Sequence, residues 1–260
     1  MQQYRPGRFQ LLPPVVKNLL IINGLFYLAS FTLSRFDINL VQILGLRYFG
    51  SDLFKPYQLI SYMFMHSDQT ITHILFNMFA LWMFGYAIEN IWGGKRFLIY
   101  YFVTGFGAAL LHYGVYYLEI RAIMNPVNDY LFNPDSMEYK EKVAAVLRNF
   151  TIPPITTENI NISIVESIRS SILDKPVVVG ASGAVFGILL AFGMMFPNTV
   201  IYLYFAIPIK AKWFVILYGA LELYFGFSNM GRGNIAHFAH LGGMIFGFIL
   251  LKFWNIKRLN

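Results

Sequence analysis

Long apolar stretches separated by short polar segments constrain the fold of this chain more than any other feature. Six of them predict helices at about 15–33, 71–91, 97–118, 177–196, 213–227 and 235–253. Only 13% of the residues are charged, whereas soluble domains carry about a quarter. Such a chain would expose too much apolar surface in water, and a lipid bilayer is its natural solvent. The sequence therefore predicts an all-α, polytopic membrane protein with six spanning helices.

The same pattern divides the chain into a membrane core with short polar flanks. We expect an N-terminal segment at 1–14, a six-helix core at 15–253 and a tail at 254–260. The connection 119–176 is long and is interpreted as an insertion. The stretch 213–227 is shorter than the ~20 residues that a full crossing needs. The sequence IYLYFAIPI before it is expected in the membrane interface.

Basic residues in the short connections predict the orientation. The side of the membrane that holds both termini carries ten basic residues, namely Arg5, Arg8, Lys17, Lys95, Arg96, Lys210, Lys212, Lys252, Lys257 and Arg258. The short connections on the other side carry four, namely Arg35, Arg47, Lys55 and Arg232. The positive-inside rule then predicts cytoplasmic termini, with 34–70 and 119–176 outside. These residues stand singly or in pairs, without a basic patch interleaved with aromatics, so membrane topology explains the net charge of +7 better than nucleic acid does.

Polar residues lie near the outer starts of three helices that run in the same direction. His73 and Asn77 share one face of the second helix, Ser182 opens the fourth, and His240 lies in the sixth. Ionisable groups within a membrane are costly and are functional candidates. At a helix N-terminus, free N–H groups and the macrodipole would favour an oxyanion beside Ser182. Serine and histidine at one depth suggest nucleophilic catalysis.

Each feature alone also has a structural explanation. A membrane serine often bonds to its own helix, and His73, Asn77 and His240 could be polar contacts between helices. Gly243 and Gly247 form a small-residue stripe that lets a neighbouring helix approach. If that neighbour is the fourth helix, His240 comes within reach of Ser182. Four further polar residues are interpreted as structural, namely Glu89, His112, Glu222 and His237.

Three strings in the chain resemble the rhomboid family of intramembrane serine proteases. They are HILFNMFALWMFGYAIE at 73–89, GASGAVFG at 180–187 and AHLGGMIFG at 239–247. The resemblance covers the membrane core and implies a six-helix bundle with a serine–histidine dyad. It further implies membrane-anchored protein substrates and a bacterial inner membrane.

The resemblance carries roles onto individual residues of this chain. It makes Ser182 the nucleophile and His240 the base, and it assigns the oxyanion hole to His73, Asn77 and the Ser182 amide. Gly180, Gly183, Phe186, Gly243 and Gly247 belong to the matching motifs as packing residues. Phe186 replaces a tyrosine of some members but can still pack on the base. Tyr57-Gln58 replaces a Trp-Arg pair, which puts the anchoring of the first loop in doubt.

The sequence gives no acidic partner for the dyad, no cofactor and no metal site. Asp68 and Asp174 are interpreted as solvated loop residues. Two other classes stay open, a non-catalytic membrane binding protein and a small transporter with polar residues along a pathway. The presence of serine, histidine and both oxyanion residues argues against the first. The absence of inverted repeats argues against the second. The oligomeric state is left open.

The insertion contains two amphipathic patterns that are too short to span. One begins at Pro134-Asp135-Ser136, a helix start, and the other runs through isoleucines at four-residue steps from Ile160 to Ile172. Two alternatives remain for these helices. They either lie on the lipid surface or cover the entrance to the site and dock substrates.

Overall fold

The computed structural model describes residues 9–67, 71–148, 150, 154–174, 177–203, 206–228 and 236–259. These residues form ten α-helices and one β-hairpin. The helices are α1 (Pro14–Leu33), α2 (Leu40–Leu44), α3 (Gln58–Ser61), α4 (Ile71–Trp92), α5 (Gly94–Phe132), α6 (Met137–Leu147), α7 (Ile162–Asp174), α8 (Ser182–Met195), α9 (Ala211–Ser228) and α10 (Ala236–Phe253). The hairpin pairs β1 (Val200–Leu203) with β2 (Ile207–Lys210). The all-α prediction is confirmed.

Helices occupy all six predicted positions, as α1, α4, α5, α8, α9 and α10. Among the described residues, four helical stretches are long and apolar enough to cross a membrane, namely Pro14–Phe36, Ile71–Trp92, Gly94–Phe132 and Ala236–Phe253. The shorter α8 has 14 residues, about 21 Å at 1.5 Å per residue. The remaining helix, α9, carries Lys212 and Glu222 within its 18 residues.

Two predicted boundaries were wrong. The fourth span begins at Ser182 rather than 177, because Val178 forms an antiparallel bridge with Leu46 instead of joining the helix. The third continues to Phe132 rather than 118, with Pro126 inside it. The segment for which the sequence predicts a place in the interface contributes both strands of the β-hairpin, which pair from Val200–Lys210 to Leu203–Ile207; its depth in the membrane stays a prediction.

The long α5 explains how the insertion is held. Its 39 residues measure about 58 Å, well beyond the ~30 Å hydrocarbon core. The predicted helices of the insertion exist as α6 and α7, and the Ser136 side chain caps α6. They share a core with the far end of α5, formed by Ile120, Met124, Val127, Tyr130, Val143, Leu147, Ile160, Val165, Ile168 and Leu173. Much of their apolar surface is therefore used inside the protein rather than presented to lipid.

Gln58 anchors the loop between α1 and α4, although the Trp-Arg pair is missing. It is only 1% exposed. Its Oε1 accepts from the backbone N–H groups of Arg47 and Lys55, and its Nε2 donates to two carbonyls of the same loop. Arg47 in turn donates to the Asp174 carbonyl, and Ser51 donates to the Asp174 carboxylate. Asp174 is therefore a structural contact between loop and insertion rather than a solvated residue. Asp68 lies outside the described residues.

Glu89 has the structural role expected of it. Its carboxylate accepts hydrogen bonds from the N–H groups of Val15 and Val16, at 2.9 and 2.7 Å. These donors belong to the first turn of α1, where backbone N–H groups have no partner within the helix. Glu89 thus ties the start of α1 to α4 from a position only 4% exposed.

Candidate active site

Ser182 is the first residue of α8 because a backbone pairing and a glycine turn end the extended segment before it. The N–H of Gly180 donates to the Tyr62 carbonyl at 2.9 Å. Gly180 then has a φ of +123°, a conformation that a residue with a Cβ rarely adopts. A Cβ there would also stand 3.1 Å from the His73 ring. The first turn of α8 leaves the Ser182 amide without an acceptor in its own helix.

His240 reaches Ser182 because α10 approaches α8 at glycines. A Cβ on Gly243 would lie 2.8 Å from the carbonyl carbon of Gly183 and nearer still to its oxygen. The two backbones are therefore in direct contact, as small residues allow between membrane helices. His240 Nε2 lies 3.0 Å from Ser182 Oγ, which is a hydrogen-bonding distance. Gly247 packs elsewhere, against Tyr100 and Thr104 of α5.

Phe186 fixes the plane of the His240 ring. The two rings stack at a centroid distance of 4.2 Å with an interplanar angle of 6°. Phe186 lies one turn after Ser182 on α8, so the helix that carries the serine also supports the histidine that contacts it.

The histidine of α4 lies beside Ser182, and the asparagine bonds to the backbone of that histidine. The ring of His73 and the Ser182 hydroxyl border the same small space at Gly180. Asn77 is 6% exposed, and its Nδ2 donates to the His73 carbonyl at 2.9 Å. One proton of that amide remains for another acceptor. His66 packs edge-on to His73 with ring centroids 5.1 Å apart. Burial, and secondarily the neighbouring His73, lower the pKa of His66 to about 4, so its ring is neutral.

Glu222 and His237 also belong to this cluster, and the sequence interpretation missed them. Glu222 Oε2 lies 2.9 Å from His240 Nδ1 and 2.6 Å from His237 Nδ1. A lone carboxylate in an apolar helix, with histidines three residues apart on another, was the available signal. The ligand-type atoms of these three residues lie within 4.8 Å of one another. Their N–O separations are those of direct hydrogen bonds, so the three side chains already satisfy one another without an ion.

The comparison with known families identifies the chain. The model of the Rhomboid domain matches residues 54–120 and 156–254, more than half of the sequence. The chain belongs to the rhomboid family. No curated protein matches it. The resemblance in the sequence is thus confirmed at the level of the family.

Membership in the rhomboid family fixes the general activity. The chain is an intramembrane serine protease, a hydrolase held in the bilayer as a multi-pass membrane protein. Between its two matched ranges the family model leaves 121–155 unmatched, which includes the far end of α5 and all of α6. Ser182, His240, His73 and Asn77 all lie within the matched ranges.

Proposed function

We propose that this rhomboid cleaves membrane-anchored protein substrates within or near their transmembrane segments, with Ser182 as nucleophile and His240 as general base. The observation that carries the proposal is the 3.0 Å separation between Ser182 Oγ and His240 Nε2. A nucleophile and its base must lie within hydrogen-bond reach of each other. Ser182 also lies at a helix N-terminus, where developing negative charge is favoured.

The reaction proceeds by acyl transfer. His240 Nε2 takes the hydroxyl proton as Ser182 Oγ attacks the scissile carbonyl, which gives a tetrahedral oxyanion. His240 then donates that proton to the leaving amine as the peptide C–N bond breaks. A water molecule, deprotonated by His240, hydrolyses the acyl-enzyme and regenerates the hydroxyl. The histidine thus acts as base and acid in turn.

Three donors are suited to holding the oxyanion. They are the Ser182 backbone N–H, the second proton of the Asn77 amide and the ring N–H of His73. Asn77 is supported by its burial and by its bond to the His73 carbonyl, which fixes the amide in one orientation. Fixed donors stabilise developing charge without reorganisation during the reaction.

The dyad is tested by Ser182→Ala and His240→Ala in purified protein. We expect each variant to lose cleavage of a transmembrane substrate while its melting temperature stays close to that of the wild type. A fluorophosphonate probe should label the wild type at Ser182 and leave Ser182→Ala unlabelled. Clear residual cleavage by Ser182→Ala would refute the serine mechanism.

The oxyanion hole is tested by removing one donor at a time. Asn77→Ala should lower kcat by about 10²–10³-fold, the usual effect of losing one such donor, with a smaller effect on KM. Asn77→Asp is the matched control, since it keeps the shape but offers an acceptor in place of the amide donor. If Asn77→Ala and His73→Ala both keep the wild-type kcat, the assignment fails.

The orientation and location complete the proposal. We infer cytoplasmic termini and a bacterial inner membrane, with the openings of α4, α8 and α10 on the outer side. The excess of basic residues on the side of the membrane that holds the termini supports this orientation. The chain has no cysteine, so single ones report cleanly. Ser136→Cys should react with an impermeant thiol reagent in intact cells, and Lys257→Cys only after permeabilisation. The opposite pattern would invert the proposed topology.

A further inference from the structure

A carboxylate from a third helix contacts the serine–histidine pair. Glu222 of α9 lies with Oε2 at 2.9 Å from His240 Nδ1, while His240 Nε2 lies 3.0 Å from Ser182 Oγ. The hydrogen bonds therefore run without interruption from α9 through α10 to α8. Glu222 is 9% exposed, so water competes little for these bonds.

We propose that Glu222 is the positioning residue of this protease and turns the pair into a Ser–His–Glu arrangement. The inference rests on the proposed function, because Glu222 touches neither the substrate nor Ser182 and acts only through His240. It assigns a role to a carboxylate that sequence reasoning had treated as a plain structural group.

The chemistry of the carboxylate fixes the state of the histidine. An ionised carboxylate only accepts hydrogen bonds, so His240 Nδ1 must carry the proton that is donated to Glu222. In the neutral ring Nε2 is then the acceptor, which is the state that a general base for the Ser182 hydroxyl requires. When His240 takes that proton, the carboxylate faces the new positive charge and stabilises it.

Phe186 and Glu222 constrain different motions of the His240 ring. The parallel stacking on Phe186 fixes the plane of the ring. It still allows a half-turn about the Cβ–Cγ bond, which restores the same plane but exchanges Nδ1 with Cδ2 and Nε2 with Cε1. The bond to Glu222 removes this freedom because only one orientation presents Nδ1 to the carboxylate.

His237 holds the carboxylate in place. It precedes His240 by one turn of α10, and its Nδ1 lies 2.6 Å from the same Glu222 oxygen. A buried carboxylate is costly unless donors satisfy it, and two histidine donors on one helix do so. The Glu222 side chain, 11% exposed, is less exposed than that of His237, at 26%. His237 is thus the outer support of the cluster.

A purely structural role is the alternative, in which Glu222 only joins α9 to α10. Glu222→Gln separates the two, because the amide keeps the size and can still accept from Nδ1 but loses the charge. Glu89→Gln is the matched control, because Glu89 is another buried carboxylate, on α4, that accepts from two N–H groups at the start of α1. Each variant is compared with the full-length wild type in the same detergent or vesicles.

We expect Glu222→Gln to lower kcat, and the rate of fluorophosphonate labelling at Ser182, by about 10²-fold or more, as for loss of the acid in other triads. KM and the melting temperature should change little. Glu89→Gln should lower the melting temperature and keep kcat. Wild-type kcat in Glu222→Gln would overturn the proposal. So would a kcat loss accompanied by a larger drop in melting temperature than Glu89→Gln shows, because that pattern describes a structural contact.

A second measurement uses the wild-type protein and so does not depend on the folding of a variant. In ¹⁵N-histidine-labelled protein in vesicles, neutral His240 should carry its proton on Nδ1, with its resonances assigned by their loss in His240→Ala. A proton on Nε2 would overturn the proposal. The proposed function fails separately, if the wild type is not labelled at Ser182 or if Ser182→Ala still cleaves.

Discussion

Gly243→Ala should disable the enzyme by separating two helices, without touching a reacting group. The added Cβ would lie 2.8 Å from the carbonyl carbon of Gly183, where an ordinary contact needs about 3.4 Å. Backbone cannot rotate away as a side chain can, and the Gly183 oxygen is closer still, so α10 must move by more than about 0.6 Å. A shift of that size along the line between the two atoms would take His240 Nε2 from 3.0 Å to beyond about 3.6 Å from Ser182 Oγ, which is no longer a hydrogen bond.

The expected effect is large on rate and moderate on stability. A displacement approaching 1 Å at a reacting pair costs about 10²-fold in rate, and overpacking costs about 1–3 kcal/mol. The assay is kcat for a transmembrane substrate, with the rate of fluorophosphonate labelling at Ser182 measured in parallel. Gly114→Ala on α5 is the control, because a Cβ there meets nothing within 4 Å and should leave both rates unchanged. Wild-type rates in Gly243→Ala would refute the close contact of α8 and α10 as the source of the site's geometry.

The remaining predictions concern the turn, the loop and the insertion. Gly180→Ala should lower kcat, because the new Cβ is strained at this φ and meets the His73 ring at 3.1 Å; unchanged kcat would contradict the described turn. Gln58→Ala should lower the free energy of unfolding by about 1–3 kcal/mol, since it leaves buried backbone groups of the first loop unpaired; an unchanged melting temperature would show that the loop is held elsewhere. Leu147→Ala should open a cavity in the insertion core and lower the free energy of unfolding by about 2–5 kcal/mol. Limited proteolysis should then cut the insertion faster while probe labelling of Ser182 persists, and lost labelling would show that the insertion helps to build the site.

The apolar pattern was sufficient to predict where helices form, because burial of an apolar stretch in lipid forces its backbone to bond internally. The three motifs were sufficient for the family, since they combine a serine, a histidine and glycines at positions where few other residues would serve. Glu89 was also interpreted correctly as structural. These conclusions depend on local composition and on short spacings, which a sequence displays directly.

The misplaced helix ends depended on partners that are remote in the chain. The bridge between Leu46 and Val178 delays the start of α8, and the only local sign of it was Gly180 just before Ser182. The extension of α5 did leave a signal, since Ile120, Met124, Val127 and Tyr130 recur at helical spacing. Pro126 lies inside this extension, where a proline is unfavourable, and the packing of the extension against α6 and α7 stabilises the helix there.

The sequence by itself determined a helical membrane protease of the rhomboid family and supplied the candidates Ser182 and His240. Only the tertiary structure decided that Glu222 faces His240, because a carboxylate on one helix meets a histidine on another only at a particular rotation and separation of the two. Between α9 and α10 those quantities follow from close contacts at glycines, such as Gly226 on Phe238 and Gly219 on Met244. A chain of hydrogen bonds across α8, α9 and α10 is therefore a property of packing, which no single segment of the sequence contains.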